Sequence, residues 1–377
     1  MSAEAFIDRY WQKRPLLIRG AFPGFVSPLS ADELAGLACE PEIESRVVLE
    51  QGPRGPWELQ RGPFAEDHFQ QLPPERWTLL VQDVEKHVPA LADLLEPFRF
   101  IPDWRIDDLM ISFAAPGGSV GPHVDQYDVF LLQAEGRRRW RIQYPPPATE
   151  ALLPGLELRI LAEFETTEEW LLEPGDMLYL PPGVPHFGVA EDACMTYSIG
   201  FRAPSHRELA FGVVDQLLDS LNPVGRYGDP GRRPQANPGE VSAENLRELR
   251  DIVRRQLSGD DSQLDRWIAR FLSEPKPGFA GKPEPRRQSG AALARRFRKG
   301  LPLRRNPASR FAFVRTGGQA YLYVDGEEFP LIPALERFGE RLCAQTLLLE
   351  PEPEALGTAA LDLLADLYAR GHWLLER

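Results

Sequence analysis

Only six histidines occur in the 377 residues. One of them stands two positions before an aspartate, in GPHVDQYDVF (residues 121–130). On a β-strand His123 and Asp125 point to the same face, so the pair is either a buried hydrogen bond or two thirds of a metal site. LEPGDMLYLPPGVPH offers a third donor. In it Gly175 and Asp176 make a turn, MLYL is a short strand, and PPGVP stiffens the loop that delivers His186. Two neutral imidazoles and one carboxylate form the facial ligand set that holds Fe(II) and leaves neighbouring positions open for O2 and an anionic cosubstrate. HxD alone is a weak signal. Its context strengthens it: Gly117 lies six residues before His123, and Gly175, Pro181 and His186 keep the spacing G-x5-P-x4-H.

Arg138 follows His123 by fifteen residues, beyond the expected turn AEG, in the strand RRRWRI. Alternation sets Arg138, Trp140 and Ile142 on one face and Arg137, Arg139 and Arg141 on the other. Trp140 and Ile142 belong inside, so Arg138 is expected to point inward too. An inward arginine is costly unless it meets an anion, and a bidentate clamp on a dicarboxylate would supply one. The competing readings are a structural salt bridge or a solvated basic patch, and the nearby histidines favour the clamp. Ser112, a hydroxyl inside the apolar run LMISF, is either a second contact to that cosubstrate or a small residue satisfied by backbone. Tyr127 is read as aromatic packing in preference to lining a substrate channel.

The elements that must position these groups are short strands punctuated by Pro and Gly: RPLLIRG, DDLMISFAAPGG, YDVFLLQAEG, RRRWRIQYPPP, WLLEPGD, DMLYLPPG and MTYSIGFRAP. Such a series predicts a sandwich or barrel, and the two glycine-led half-motifs match a cupin-type double-stranded β-helix (a jelly roll) spanning 1–205. Ser30 with Glu33, and Ser205 with Glu208, are capping boxes that open helices. From 206 to 273 three amphipathic helices are expected, with stripes such as Leu209, Val213, Leu217 and Leu264, Trp267, Ile268, Phe271. Their apolar faces must pack within the chain or pair two chains as a homodimer. Residues 274–308, rich in Pro and Arg, read as a linker. Residues 309–377 read as a small α+β, winged-helix-like domain. It has a hairpin about TGG, helices at 334–345 and 354–370, and a last strand in HWLLE.

The order HxD, inward basic residue, then G-x5-P-x4-H resembles the JmjC class of Fe(II)- and 2-oxoglutarate-dependent oxygenases. More narrowly, RYWQKRPLLIRG, DWRIDDLMISF, GGSVGPHVDQYDVF, GRRRWRI, EPGDMLYLPPGVPH and YSIGFRAP resemble the bacterial ribosomal oxygenases over residues 10–205. The resemblance implies hydroxylation of a ribosomal protein side chain, an arginine of large-subunit protein L-sixteen, with Fe(II), 2-oxoglutarate and O2. It implies that His123, Asp125 and His186 bind iron and that Arg138, aided by Ser112, holds the distal carboxylate of 2-oxoglutarate. It further implies a helical dimerisation region and a winged helix after residue 205. Histidine hydroxylation, N-methyl demethylation and a non-catalytic metal-binding scaffold remain alternatives, because one iron site serves all of them.

Composition narrows the partners. A net charge of −13 suits a basic protein partner and argues against general nucleic-acid binding. The local exception is the basic run 286–305, where RNA contact is a weaker expectation. No apolar run reaches the ~20 residues a membrane span requires. Cys39, Cys194 and Cys343 lack CxxC spacing, as expected of a cytoplasmic protein.

Overall fold

The computed structural model describes the chain except residues 52–55, 222–223, 229–240, 258–260, 280–286, 351–355 and 377. Two compact units emerge, Met1–Ala203 and Pro204–Arg377. The strands of the first unit are β1 (Leu16–Ile18), β2 (Ser45–Glu50), β3 (Trp57–Arg61), β4 (Trp77–Val81), β5 (Ile106–Ala114), β6 (Asp128–Glu135), β7 (Arg138–Ile142), β8 (Glu168–Leu172), β9 (Met177–Leu180), β10 (His186–Ala190) and β11 (Cys194–Phe201). Eight of them form one sheet in the order β1-β9-β6-β11-β5-β4-β2-β3, and β10-β7-β8 form a second. All these pairings are antiparallel. From β6 to β11 the chain passes back and forth between the sheets, which gives the double-stranded β-helix.

At its centre the large sheet is buried on both faces, and β6 shows how. Its sequence DVFLLQAE sends Val129 and Leu131 to the inter-sheet core with Ile142, Leu178 and Leu180. Phe130, Leu132 and Ala134 go to an outer core with Phe6, Leu34 and Tyr197. Period-2 alternation between two apolar environments therefore reads as one continuous hydrophobic run. Each fully buried side chain of this size contributes about 1.5–3 kcal/mol. Short helices cover the outer face: α1 (Ala3–Arg9), α2 (Ala31–Leu37) and α3 (Pro89–Ala92). Phe6 pins α1 by an edge contact to Tyr179, ring centroids 4.9 Å apart, and Ser30 with Glu33 closes the expected capping box on α2. The strands β2, β3, β4 and β10 are not among the expected ones. β10, HFGVA, hides because it follows directly on the PPGVP loop, and its central glycine lowers β-propensity.

In the second unit, α4 (His206–Ser220) opens on the Ser205–Glu208 capping box, followed by α5 (Ala243–Leu257) and α6 (Asp261–Ser273). Arg266 of α6 clasps Glu328 through two hydrogen bonds of 2.8 and 2.5 Å. Residues 290–305 depart from the expected linker. There α7 (Gly290–Phe297) buries Leu293 and Phe297, and β12 (Leu303–Arg305) buries Leu303, all in one core with Trp373. Leu293 and Phe297, four residues apart, make one helical face among arginines, and the charge masked that amphipathic pattern. The basic run also works inside the fold: Arg296 donates to the carbonyls of Pro302 and Glu376, and Arg304 pairs with the Glu376 carboxylate at 2.6 and 2.9 Å.

The hairpin strands β13 (Phe311–Thr316) and β14 (Gln319–Val324) turn through Gly317 and Gly318, at φ +59° and +78°, as a two-residue turn of the primed type requires. β15 (Glu327–Leu331), α8 (Glu336–Ala344), β16 (Leu347–Leu348), α9 (Gly357–Ala369) and β17 (Trp373–Leu375) complete the unit. Most of the loop expected after residue 221, and the start of the helix expected at 354, lie outside the described residues. No helix among the described residues is long and apolar enough to cross a membrane.

Candidate active site

Backbone hydrogen bonds join the two half-motifs. The His123 amide donates to the His186 carbonyl at 3.1 Å, and the His186 amide donates to the His123 carbonyl at 3.0 Å. The Gly183 amide donates to the Asp125 carbonyl at 2.8 Å. HVD is thus fastened directly onto the PPGVPH loop, and the two imidazoles lie with centroids 4.2 Å apart. Asp125 Oδ2 stands 3.9 Å from His123 Nε2 and 3.6 Å from His186 Nε2. Donor atoms from all three residues fall within 4.8 Å of one another, wider than the ~3 Å spacing of neighbouring ligands that each sit about 2.1 Å from a metal, so binding would draw them together.

The tautomers suit metal binding. His123 Nδ1 lies 2.9 Å from the Gly121 carbonyl and His186 Nδ1 lies 3.0 Å from the Val184 carbonyl. A carbonyl only accepts, so each Nδ1 carries the proton and each Nε2 keeps its lone pair for the metal. Burial, then the neighbouring His123, pushes the His186 pKa down to about 4, so this imidazole is neutral at physiological pH without a metal.

Arg138 occupies the other end of the same cavity. On β7 the burial alternates as expected, with Arg138, Trp140 and Ile142 inside, while Arg139 and Arg141 pair outside with Glu169 and Glu191. Arg138 is 3% exposed. Its Nη1 donates to Ser112 Oγ at 3.3 Å and Thr196 Oγ1 at 3.5 Å, and its Nη2 donates to the Gly188 carbonyl at 3.3 Å. Its Nε has no hydrogen-bond partner among the described residues. Every one of these acceptors is uncharged, and desolvation pushes the guanidinium pKa down. A buried cation with only neutral neighbours is the state expected of a clamp that awaits an anion. Ser112 and Arg138 line one cavity of about 360 Å³ together with His123, Asp125 and His186.

The comparisons with known proteins agree with this geometry. A JmjC domain model matches residues 93–209, and a ROXA-like winged helix model matches residues 253–374. The ribosomal protein uL16 3-hydroxylase of Escherichia coli (strain K12) is 39% identical over 373 residues, covering 98% of this chain and 97% of that protein. The chain belongs to the JmjC ribosomal oxygenases. An X-ray structure of E. coli ycfD matches this ribosomal oxygenase with a TM-score of 0.85 at 37% identity, covering 100% of this chain and 98% of that one. A structure of YcfD in complex with cobalt and 2-oxoglutarate matches with a TM-score of 0.83 at 36% identity, covering 100% and 99%.

The ribosomal oxygenase also places in the cavity groups that the motifs did not reveal. Asp108, Met110 and Ser112 alternate along β5 and all line the cavity wall. This i, i+2 relation to Ser112 was the available signal for Asp108. Asp108 is buried, and its Oδ2 accepts from the Gln82 amide nitrogen at 2.7 Å once that amide is oriented by its neighbours. Behind it Glu85 accepts from the Leu109 amide at 3.0 Å, and burial pushes the Glu85 pKa up to about 8. Tyr127, expected as packing, instead stands in the cavity wall, 40% exposed. Burial of its hydroxyl and the neighbouring Asp125 raise its pKa.

Proposed function

We propose that this protein is an Fe(II)- and 2-oxoglutarate-dependent dioxygenase that hydroxylates a ribosomal protein, its target an arginine side chain of uL16. The observation that carries the reading is one cavity with a His-Asp-His donor set at one end and, at the other, a buried guanidinium whose acceptors among the described residues are uncharged. His123, Asp125 and His186 would hold iron, and Arg138 with Ser112 would hold the distal carboxylate of 2-oxoglutarate. Bound iron supplies O2 activation coupled to oxidation of 2-oxoglutarate to succinate and CO2. The protein's own share is to fix the cosubstrate, exclude water and present one C–H bond of the substrate. Asp108 is the carboxylate suited to a substrate guanidinium, since a charged acceptor pairs with it bidentately. It favours a cationic side chain over a neutral imidazole. A non-catalytic scaffold has no use for Arg138 turned inward.

The same reading takes the partner as a basic segment of a ribosomal protein in the cytoplasm. It takes α4 and α5 as the seam of a homodimer: Phe211 is 72%, Leu218 60% and Val253 56% exposed. RNA contact by residues 286–305 is the weaker proposal, since Arg296 and Arg304 already serve internal contacts.

The test is succinate formation from 2-oxoglutarate driven by a uL16 peptide, with mass spectrometry of the peptide for one added oxygen. His123→Ala should reduce both to background. Full turnover in that variant would sink the assignment.

A further inference from the structure

We propose that Gly188 is a positioning residue of the cosubstrate clamp, acting through the volume it leaves empty; this rests on the role of Arg138 given above. The inward positions of β10 are His186, Gly188 and Ala190, each buried. In register, Gly188 faces Trp140 and Ala190 faces Arg138 across the antiparallel pair. A methyl group at Gly188 would lie 2.7 Å from Trp140 Cη2 and Cζ3 and 2.8 Å from Arg138 Nε. Gly188 is not among the glycines at positive φ. Its backbone would therefore accept any L-residue, and what excludes a side chain is the space itself. A glycine inside a strand is destabilising by about 0.5–1 kcal/mol relative to alanine, so the empty volume offsets a real cost.

Trp140 cannot yield easily. It is 4% exposed, sits in the inter-sheet core, and tilts against His186 with ring centroids 5.9 Å apart. Arg138 lies over the same indole, Cζ 5.0 Å from the ring centroid. Gly188 thus lets a rigid indole lie between the histidine end and the arginine end of the cavity, with the Arg138 side chain laid across it. Any added carbon displaces the guanidinium, because the indole is held by the core whereas the arginine is held only by three long hydrogen bonds of 3.3–3.5 Å.

The test uses the full chain loaded with Mn(II) for calorimetry of 2-oxoglutarate uptake, with turnover measured in parallel on the Fe(II)-loaded chain. Gly188→Ala should weaken 2-oxoglutarate binding and raise its KM by about tenfold or more, the scale of overpacking a dense core. Mn(II) affinity and kcat at saturating cosubstrate should stay within about a factor of three, a split that a general loss of structure would not produce. In an Arg138→Met background the same substitution should change cosubstrate binding by less than about twofold, because contacting residues are not additive. Trp140→Phe, which removes the two crowding ring atoms, should restore part of the loss. If Gly188→Ala alone does not fold, the double variant is read against Trp140→Phe by the same titration. Unchanged cosubstrate binding in Gly188→Ala, or an equal loss with and without Arg138, overturns the proposal. A wild-type protein that takes up no 2-oxoglutarate with Mn(II) would instead sink the function reading itself.

Discussion

The two ends of the cavity are built by different physics. At the histidine end, main-chain hydrogen bonds between His123 and His186, and from Gly183 to Asp125, set the donor positions. The imidazole protons are taken up by the Gly121 and Val184 carbonyls. At the arginine end the main chain is bridged too, Gly117 donating to the Ala190 carbonyl at 2.8 Å and Ala190 to the Gly118 carbonyl at 3.0 Å. There, however, the charged group lies at the tip of a long side chain, held by the hydroxyls of Ser112 and Thr196, the Gly188 carbonyl and an indole face. One end is pre-arranged whether or not it is filled. The other stores an uncompensated charge that only an anion can relieve. The histidine end should therefore tolerate changes in its surroundings, and the arginine end should trade stability against affinity.

The largest expected effect breaks the arginine end alone. Arg138→Met should raise the KM for 2-oxoglutarate by about a hundredfold, the order expected when a buried charge pair loses one partner. The cosubstrate-free protein should melt higher, by an amount equivalent to about 1–4 kcal/mol, because a desolvated cation is replaced by an apolar chain. Calorimetric Mn(II) binding should not change. A lower melting temperature would show that the guanidinium stabilises the empty fold and would end the contrast between the two ends.

A smaller effect is expected at the wall between them. Asp108→Asn should raise the KM for the uL16 peptide by about tenfold, the worth of a charge-assisted hydrogen bond, with 2-oxoglutarate KM unaltered. An equal rise for both would place Asp108 in cosubstrate binding and not in substrate recognition.

The smallest effect concerns the acid behind that wall. Glu85 holds its proton up to about pH 8 in the folded chain, whereas an exposed glutamate loses it near 4.3. Between those values the folded state binds the extra proton at this site, so the Glu85 contribution to stability falls as pH rises through this window. Glu85→Gln should flatten that part of the pH–stability curve, measured by denaturant unfolding at pH 5 and pH 8. A wild-type minus Glu85→Gln stability difference that does not fall from pH 5 to pH 8 would contradict the buried, protonated state.

Much of the site was legible because its residues carry chemistry that spacing alone exposes. The HxD pair, the glycine and proline that deliver His186, and the inward parity of Arg138 all follow from local periodicity. So did both capping boxes and the glycine turn of the hairpin. What escaped notice had no local mark. Asp108 shares a face with Ser112, yet a carboxylate on a strand ordinarily reads as solvent-facing. Tyr127 read as packing because an aromatic ring is more often core than channel wall. Helix α7 lay hidden among arginines, its Leu293 and Phe297 outnumbered by charge in the window that shows them.

The amino-acid sequence by itself determined the candidate donor types, their order and the face on which each lies, because these depend on repeat periods and on chain-local turn geometry. Only the tertiary structure decided which distant faces meet: that His123 and His186 share two backbone hydrogen bonds, that Arg138 meets only uncharged acceptors among the described residues, and that a Cβ at Gly188 would crowd Trp140. Those are facts of packing between strands far apart in the chain, where the available volume, and not any local propensity, selects the residue.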